Sequence, residues 1–186
     1  MWTRRAAMAM TAGAACGSVR NAAFAATPAG IDLGAIPRAV HERLMRLAIA
    51  AARGNPRYPF GAVIARAADG ALMASGVNNS AANPTFHGEI DAMGDYVSKH
   101  GNRDWPSMVL YTTGEPCPMC MSAMVWAGMG GAVFGTSIAE LARVGIAQID
   151  IAAASVIAAA PFYHGALLGG VLAGETDRMF AERQRG

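Results

Sequence analysis

The chain has 186 residues, 53% of them apolar, which is enough for one sizeable core and sets the scale of a single domain with a short leader. Its formal charge of +2 is unevenly placed: residues 1–25 carry Arg4, Arg5 and Arg20 and no acid, leaving 12 basic and 13 acidic side chains in the rest. With Lys99 as the sole lysine, this is a poor footprint for gripping a long nucleic acid through its phosphates. Three cysteines, one of them in the leader, rule out a disulfide framework.

Residues 1–26 read as a twin-arginine export signal. Thr3-Arg4-Arg5 precedes a weakly apolar run from Ala6 to Val19, and Ala23-Phe24-Ala25 fits the small-x-small pattern before a cleavage point. The expected location is therefore periplasmic or secreted. The segment is too short and too weakly apolar to span a membrane, and no other stretch is a candidate span. Residues 27–36 read as a linker, and 37–186 as the domain.

Pro37 opens a helix to about Arg53, with Ile36, Val40, Leu44, Leu47, Ala48 and Ala51 on one stripe and His41 off it, in solvent. Phe60 to Ala65 and Ala71 to Val77 read as an antiparallel hairpin around the Ala68-Asp69-Gly70 turn. After a loop, a helix from about Thr85 to His100 carries His87 and Glu89 in its first turn and turns Ile90, Met93 and Val97 to the core. Met108 to Thr112 is a third strand. Pro116 to Ala127 is a helix with Met121, Met124 and Val125 inward, and Gly131 to Phe134 is a fourth strand. Ser137-x-x-Glu140 is a capping box before a short helix. Residues 146–151 are irregular, Ser155 to Ala160 helical, Gly165 to Gly170 a fifth strand and Val171 to Arg183 a last helix. This alternation predicts the α/β class: a three-layer α/β/α sandwich around a five-stranded mixed sheet.

Two stretches carry the chemistry. Pro84-Thr85-Phe86-His87-Gly88-Glu89 and Glu115-Pro116-Cys117-Pro118-Met119-Cys120 together give H-x-E, 26 residues, then P-C-x-x-C. Zinc favours imidazole nitrogen and thiolate sulfur in a tetrahedral shell, and a catalytic zinc keeps one position for water. His87, Cys117 and Cys120 supply three such ligands. Cys117 and Cys120 stand three apart and share a helix face, at an N-terminus whose positive end favours thiolate. Glu89 is not needed as a ligand and is placed to carry protons. Two thiolates blunt the acidity that zinc lends to water, so a general base has more to contribute. A structural zinc clip would want a fourth ligand, and the one remaining cysteine, Cys16, lies in the leader. A redox pair would leave His87 and Glu89 without a purpose.

On these motifs the chain resembles the cytidine deaminase-like superfamily, within it the branch of guanine deaminases and tRNA adenosine deaminases. Pro59-Phe60-Gly61-Ala62-Val63-Ile64, Gly76-Val77-Asn78 and Ala132-Val133-Phe134-Gly135 resemble further strands of that branch, over about residues 38 to 180. The resemblance implies one zinc per subunit and hydrolytic release of ammonia from a free nucleobase or nucleoside. In that scheme Glu89 moves protons, Asn78 hydrogen-bonds the base, and Phe60 with the backbone of Gly61 and Ala62 lines the pocket. It also implies a homodimer. The Pro-Phe-Gly-Ala strand leans toward a guanine-like purine. The alternatives are a cytosine or cytidine deaminase, a tRNA adenosine deaminase, against which the near-neutral surface counts, and a non-catalytic zinc module. Gly88 stands where the family usually has Ala, and Gly114 where Leu or Cys is common; both leave the substrate open. Trp126 reads as core packing, Phe162 or Tyr163 as packing on the last helix, and His164 as surface.

Overall fold

The computed structural model describes residues 30–184, so the export-signal reading of residues 1–26 lies outside the described residues. The sheet has five strands in the order β2-β1-β3-β4-β5: β1 (Gly61–Arg66), β2 (Leu72–Val77), β3 (Met108–Gly114), β4 (Gly131–Thr136) and β5 (Ala166–Leu168). β1 pairs antiparallel with β2 (Gly61 opposite Val77) and with β3 (Ala62 opposite Thr112). β3, β4 and β5 run parallel (Val109 opposite Gly131, Gly131 opposite Ala166). Parallel neighbours need a crossover, and α3 (Pro118–Ala127) supplies it between β3 and β4.

The alternation along each strand sorts side chains into two cores. Ala62, Ile64, Leu110 and Ala132 face one side, packed with Ala92 and Tyr96 of α2 (Gly88–His100), Met121 and Met124 of α3, and Ala153 of α5 (Ala153–Ala158). Val63, Ala65, Val109, Tyr111 and Val133 face the other, under Leu44, Met45 and Ala48 of α1 (Arg38–Ala52). A smaller cluster joins Leu141 of α4 (Ile138–Arg143) to Val144, Ile146 and Phe180 of α6 (Ala173–Ala181). Ser137 accepts a hydrogen bond from the Glu140 amide at 3.2 Å, so the expected cap is present. No helix among the described residues is long and apolar enough to cross a membrane.

Four expectations need correction. Residues 30–36 are not a free linker: the Asp32 carboxylate caps a short 3-10 turn at Leu33–Ala35, and Leu33 is buried in the second core. His41 is not solvated but 3% exposed, with Nε2 3.0 Å from the Leu33 carbonyl and Nδ1 3.0 Å from the Tyr111 hydroxyl. A carbonyl only accepts, so Nε2 carries the proton and the Tyr111 hydroxyl donates to Nδ1. Burial pushes the Tyr111 phenol up to about 12.

The third correction is α2, which starts at Gly88 rather than Thr85. The Asn83 side chain accepts from the amide and hydroxyl of Thr85 and holds a turn, leaving His87 extended as the N-cap. The buried face of α2 is Gly88, Glu89, Ala92 and Tyr96, while Val97 is exposed. The reason is proximity. A Cβ on Gly76 of β2 would stand 2.2 Å from the Ala92 nitrogen and 2.4 Å from the Gly88 oxygen, so only small residues fit where this helix meets the sheet. Fourth, Trp126 is 78% exposed and Phe162 packs on it (ring centroids 5.5 Å), not on α6; Tyr163 is buried in the first core and His164 is exposed.

Gly76→Ala is expected to lose about 3 kcal/mol through overpacking, roughly 6–12 °C of melting temperature for a domain of this size. The exposed neighbour Ser75→Ala should stay within about 0.5 kcal/mol. Thermal unfolding of the two variants checks this.

Candidate metal centre and active site

His87 and Cys117 occupy equivalent places, each the extended N-cap residue of its helix. β1 and β3 bring the two helix starts together, and the exposed donors of both first turns face the same spot. Sγ of Cys117 and Sγ of Cys120 each lie 3.6 Å from Nδ1 of His87. All three ligand atoms fall within 4.8 Å of one another. A sulfur about 2.3 Å and a nitrogen about 2.0–2.1 Å from one tetrahedral zinc stand roughly 3.6 Å apart. The donor set and its spacing therefore fit zinc, and among the described residues this is the one cluster of such donors found.

Taken by themselves, these groups share protons unequally. The hydrogen bond from Cys120, joined by that from His87, brings the Cys117 thiol down to about 4. The same bond, together with burial, pushes Cys120 up. The Cys117 hydrogen bond raises the His87 imidazole against the effect of its burial. A divalent cation replaces the shared protons, since thiolate and neutral imidazole are the ligating forms.

Glu89 sits one residue into α2 and is 3% exposed. Burial holds its carboxyl up at about 7, and Thr112 Oγ1 donates to its Oε1 at 3.4 Å. Glu89, His87 and Cys117 line a cavity of about 510 Å³, within the usual range for a small-molecule site. Phe60 and Asn78 line it too; Gly61 and Ala62 are not among its lining residues but lie buried in β1. Gly61 is held by the backbone of α1, whose Ala48 oxygen would be 2.2 Å from a Cβ there. The two unusual glycines make room for Phe60. A Cβ on Gly88 would meet the Phe60 carbonyl at 2.6 Å, and one on Gly114 would meet its ring at 2.9 Å. The ring packs on Phe180 at 4.8 Å.

Asn78 is oriented by its neighbours. Its Oδ1 accepts from the Ser80 amide and hydroxyl and from Asn55 Nδ2, at 3.0–3.3 Å, which leaves Nδ2 as the group it can offer. Sequence reasoning missed Glu115. Its Oε2 accepts from the Ile138 amide and its Oε1 from the Ala153 amide, both at 2.9 Å, and it too lines the cavity. An acid directly before Pro116-Cys117 was the available signal. The cavity wall at Ile146 to Ile149 gave none, because irregular backbone has no periodicity to read.

Residues 38–136 match the family model of the cytidine and deoxycytidylate deaminase zinc-binding region. The chain belongs to this family. Hydrolytic deamination is its chemistry, and zinc its metal. The deaminase is 34% identical over 106 residues to the guanine deaminase of Bacillus subtilis, covering 56% of this chain and 67% of that one. It is 35% identical over 92 residues to a probable cytosine deaminase of Schizosaccharomyces pombe, covering 50% and 56% of the two chains. Among solved structures, the guanine deaminase from Nitrosomonas europaea superimposes with a TM-score of 0.66 at 22% identity, over 84% of this chain and 88% of that one, which establishes the common fold.

The purified deaminase should carry one zinc per chain by mass spectrometry, and His87→Ala and Cys120→Ala should lose it. Stripping the metal with a chelator should lower the melting temperature; a ligand present at about a hundred times its Kd contributes roughly 2.7 kcal/mol.

Proposed function

We propose that the enzyme removes the exocyclic amine of a free purine base of the guanine type. The observation that carries this reading is the meeting, on one cavity, of the metal triangle, the buried Glu89 carboxylate and the oriented Asn78 amide. The likeness to the Bacillus subtilis guanine deaminase supports the choice of base. Zinc held by His87, Cys117 and Cys120 supplies the Lewis acidity that makes water a nucleophile near neutral pH. Glu89 takes a proton from the attacking water and passes it to the ring nitrogen, then serves the departing amine. The water oxygen stays on the ring carbon as the carbonyl. One of its protons ends on the ring and the other on the amine, which leaves as ammonia. Asn78 Nδ2 donates to an acceptor on the ring, and Phe60, wedged by Gly88 and Gly114, offers an apolar wall.

Ammonia release from guanine, adenine, cytosine and their nucleosides tests the reading, with guanine expected to be fastest. Cytosine as the sole substrate would favour the second reading, which rests on the Schizosaccharomyces pombe relative. Glu89→Gln should retain zinc and lose about 10²–10⁴ in kcat, the usual share of general acid–base catalysis. Failure to act on any free base refutes the proposal.

We also propose that the enzyme works as a homodimer. Trp126, 78% exposed, and Phe162, 51% exposed, stack on each other at the surface, and aromatic side chains are enriched at protein interfaces. Light scattering should give twice the chain mass, and Trp126→Arg should give the single-chain mass.

A further inference from the structure

We propose that Gln148 is a specificity-determining residue, its carboxamide oxygen accepting a hydrogen bond from a ring N–H of the substrate; this rests on the base-deaminase reading above. The cavity wall that follows α4 consists of Ile146, Ala147, Gln148 and Ile149, so Gln148 is the polar side chain in an apolar stretch. Its Oε1 is shielded from solvent and accepts no hydrogen bond from any described residue. A buried carbonyl oxygen without a donor costs free energy that an incoming N–H removes. Apolar cavities with a few placed polar groups orient their ligands in this way.

The wall is held in place, which specificity requires. Glu115 receives the amides of Ile138 and Ala153, one on each side of it. Arg183 Nη2 donates to the Val144 carbonyl at 3.0 Å, the Ile146 amide to the Leu141 carbonyl at 2.9 Å and the Ile151 amide to the Ile149 carbonyl at 2.8 Å. Ile146 is buried in the cluster with Leu141 and Phe180. Asn78 brings a donor from β2, because its own oxygen is occupied. Gln148 brings the matching acceptor from a different element. A purine base offers both partners, ring nitrogens that accept and ring N–H groups that donate. Methylating the ring nitrogen that Gln148 reads would remove the donor.

The test uses zinc-loaded full-length enzyme, guanine and its 1-, 7- and 9-methyl derivatives as probes. Gln148→Met, matched to wild type in zinc content and melting temperature, should lose at least about ten-fold in kcat/KM on guanine, mostly through KM, the size of one hydrogen bond to a buried partner. One methyl isomer should lose a similar factor with wild type and lose nothing further with Gln148→Met, the signature of a coupled pair. Gln148→Glu, which keeps the accepting oxygen, should keep the discrimination. If wild type acts on guanine and Gln148→Met discriminates all the probes as wild type does, the assignment of Gln148 is overturned and the proposed reaction stands. If wild type releases no ammonia from guanine, the reaction itself is overturned and this inference with it.

Discussion

The site depends on how closely α2 can approach the sheet. Gly76 on the strand and Gly88 and Ala92 on the helix let backbone rest on backbone, at distances where any larger side chain would strike a peptide group. The Phe60 carbonyl, which crowds Gly88, also accepts the Asn78 amide at 2.9 Å. One contact therefore sets the position of His87, Glu89, Phe60 and Asn78 together. Interiors are close-packed and transmit strain, so a displacement there reaches the metal ligand, the proton carrier and the base-facing amide at once.

The second half of the site arrives by topology. β3 runs antiparallel to β1 and parallel to β4, and the crossover between β3 and β4 must begin where β3 ends. Cys117 is the cap of that crossover helix, and Cys120 lies one turn on. Two helix starts then face a single point, and the partial positive charge at each favours the anionic form of the sulfurs and of Glu89. Burial acts on Glu89 in the opposite direction and prevails, so the carboxyl is held poised to take and return a proton.

The layers, the strand order of the hairpin, the metal triangle and Glu89 were legible in the sequence because each rests on a local pattern: alternation, turn residues or fixed spacing. What escaped was decided by contacts between distant segments. His41 lies off the apolar stripe of α1 and so reads as solvated. It is buried because Tyr111 and Leu33, far apart in sequence, satisfy both ring nitrogens. Ile90 and Val97 look like core residues by type, yet the tight seat on Gly76 reserves the inner face of α2 for small side chains. Trp126 reads as core by size, but α3 is apolar on all sides and periodicity cannot choose its buried face. Glu115 belongs to the motif, but its role appears only when α4 and α5 are brought to it.

The Glu115 carboxylate joins two parts of the enzyme that would otherwise be separate. It lies two positions before a metal ligand, and it fastens both ends of the segment that closes the cavity. The start of the crossover helix and that segment are therefore clamped to a common post. Whatever steadies one steadies the other, and such linkage is reciprocal. A heterocycle resting against Ile146 and Ala147 tightens the grip on the ion, and an ion in place keeps the lid-side residues in register for the next molecule to enter.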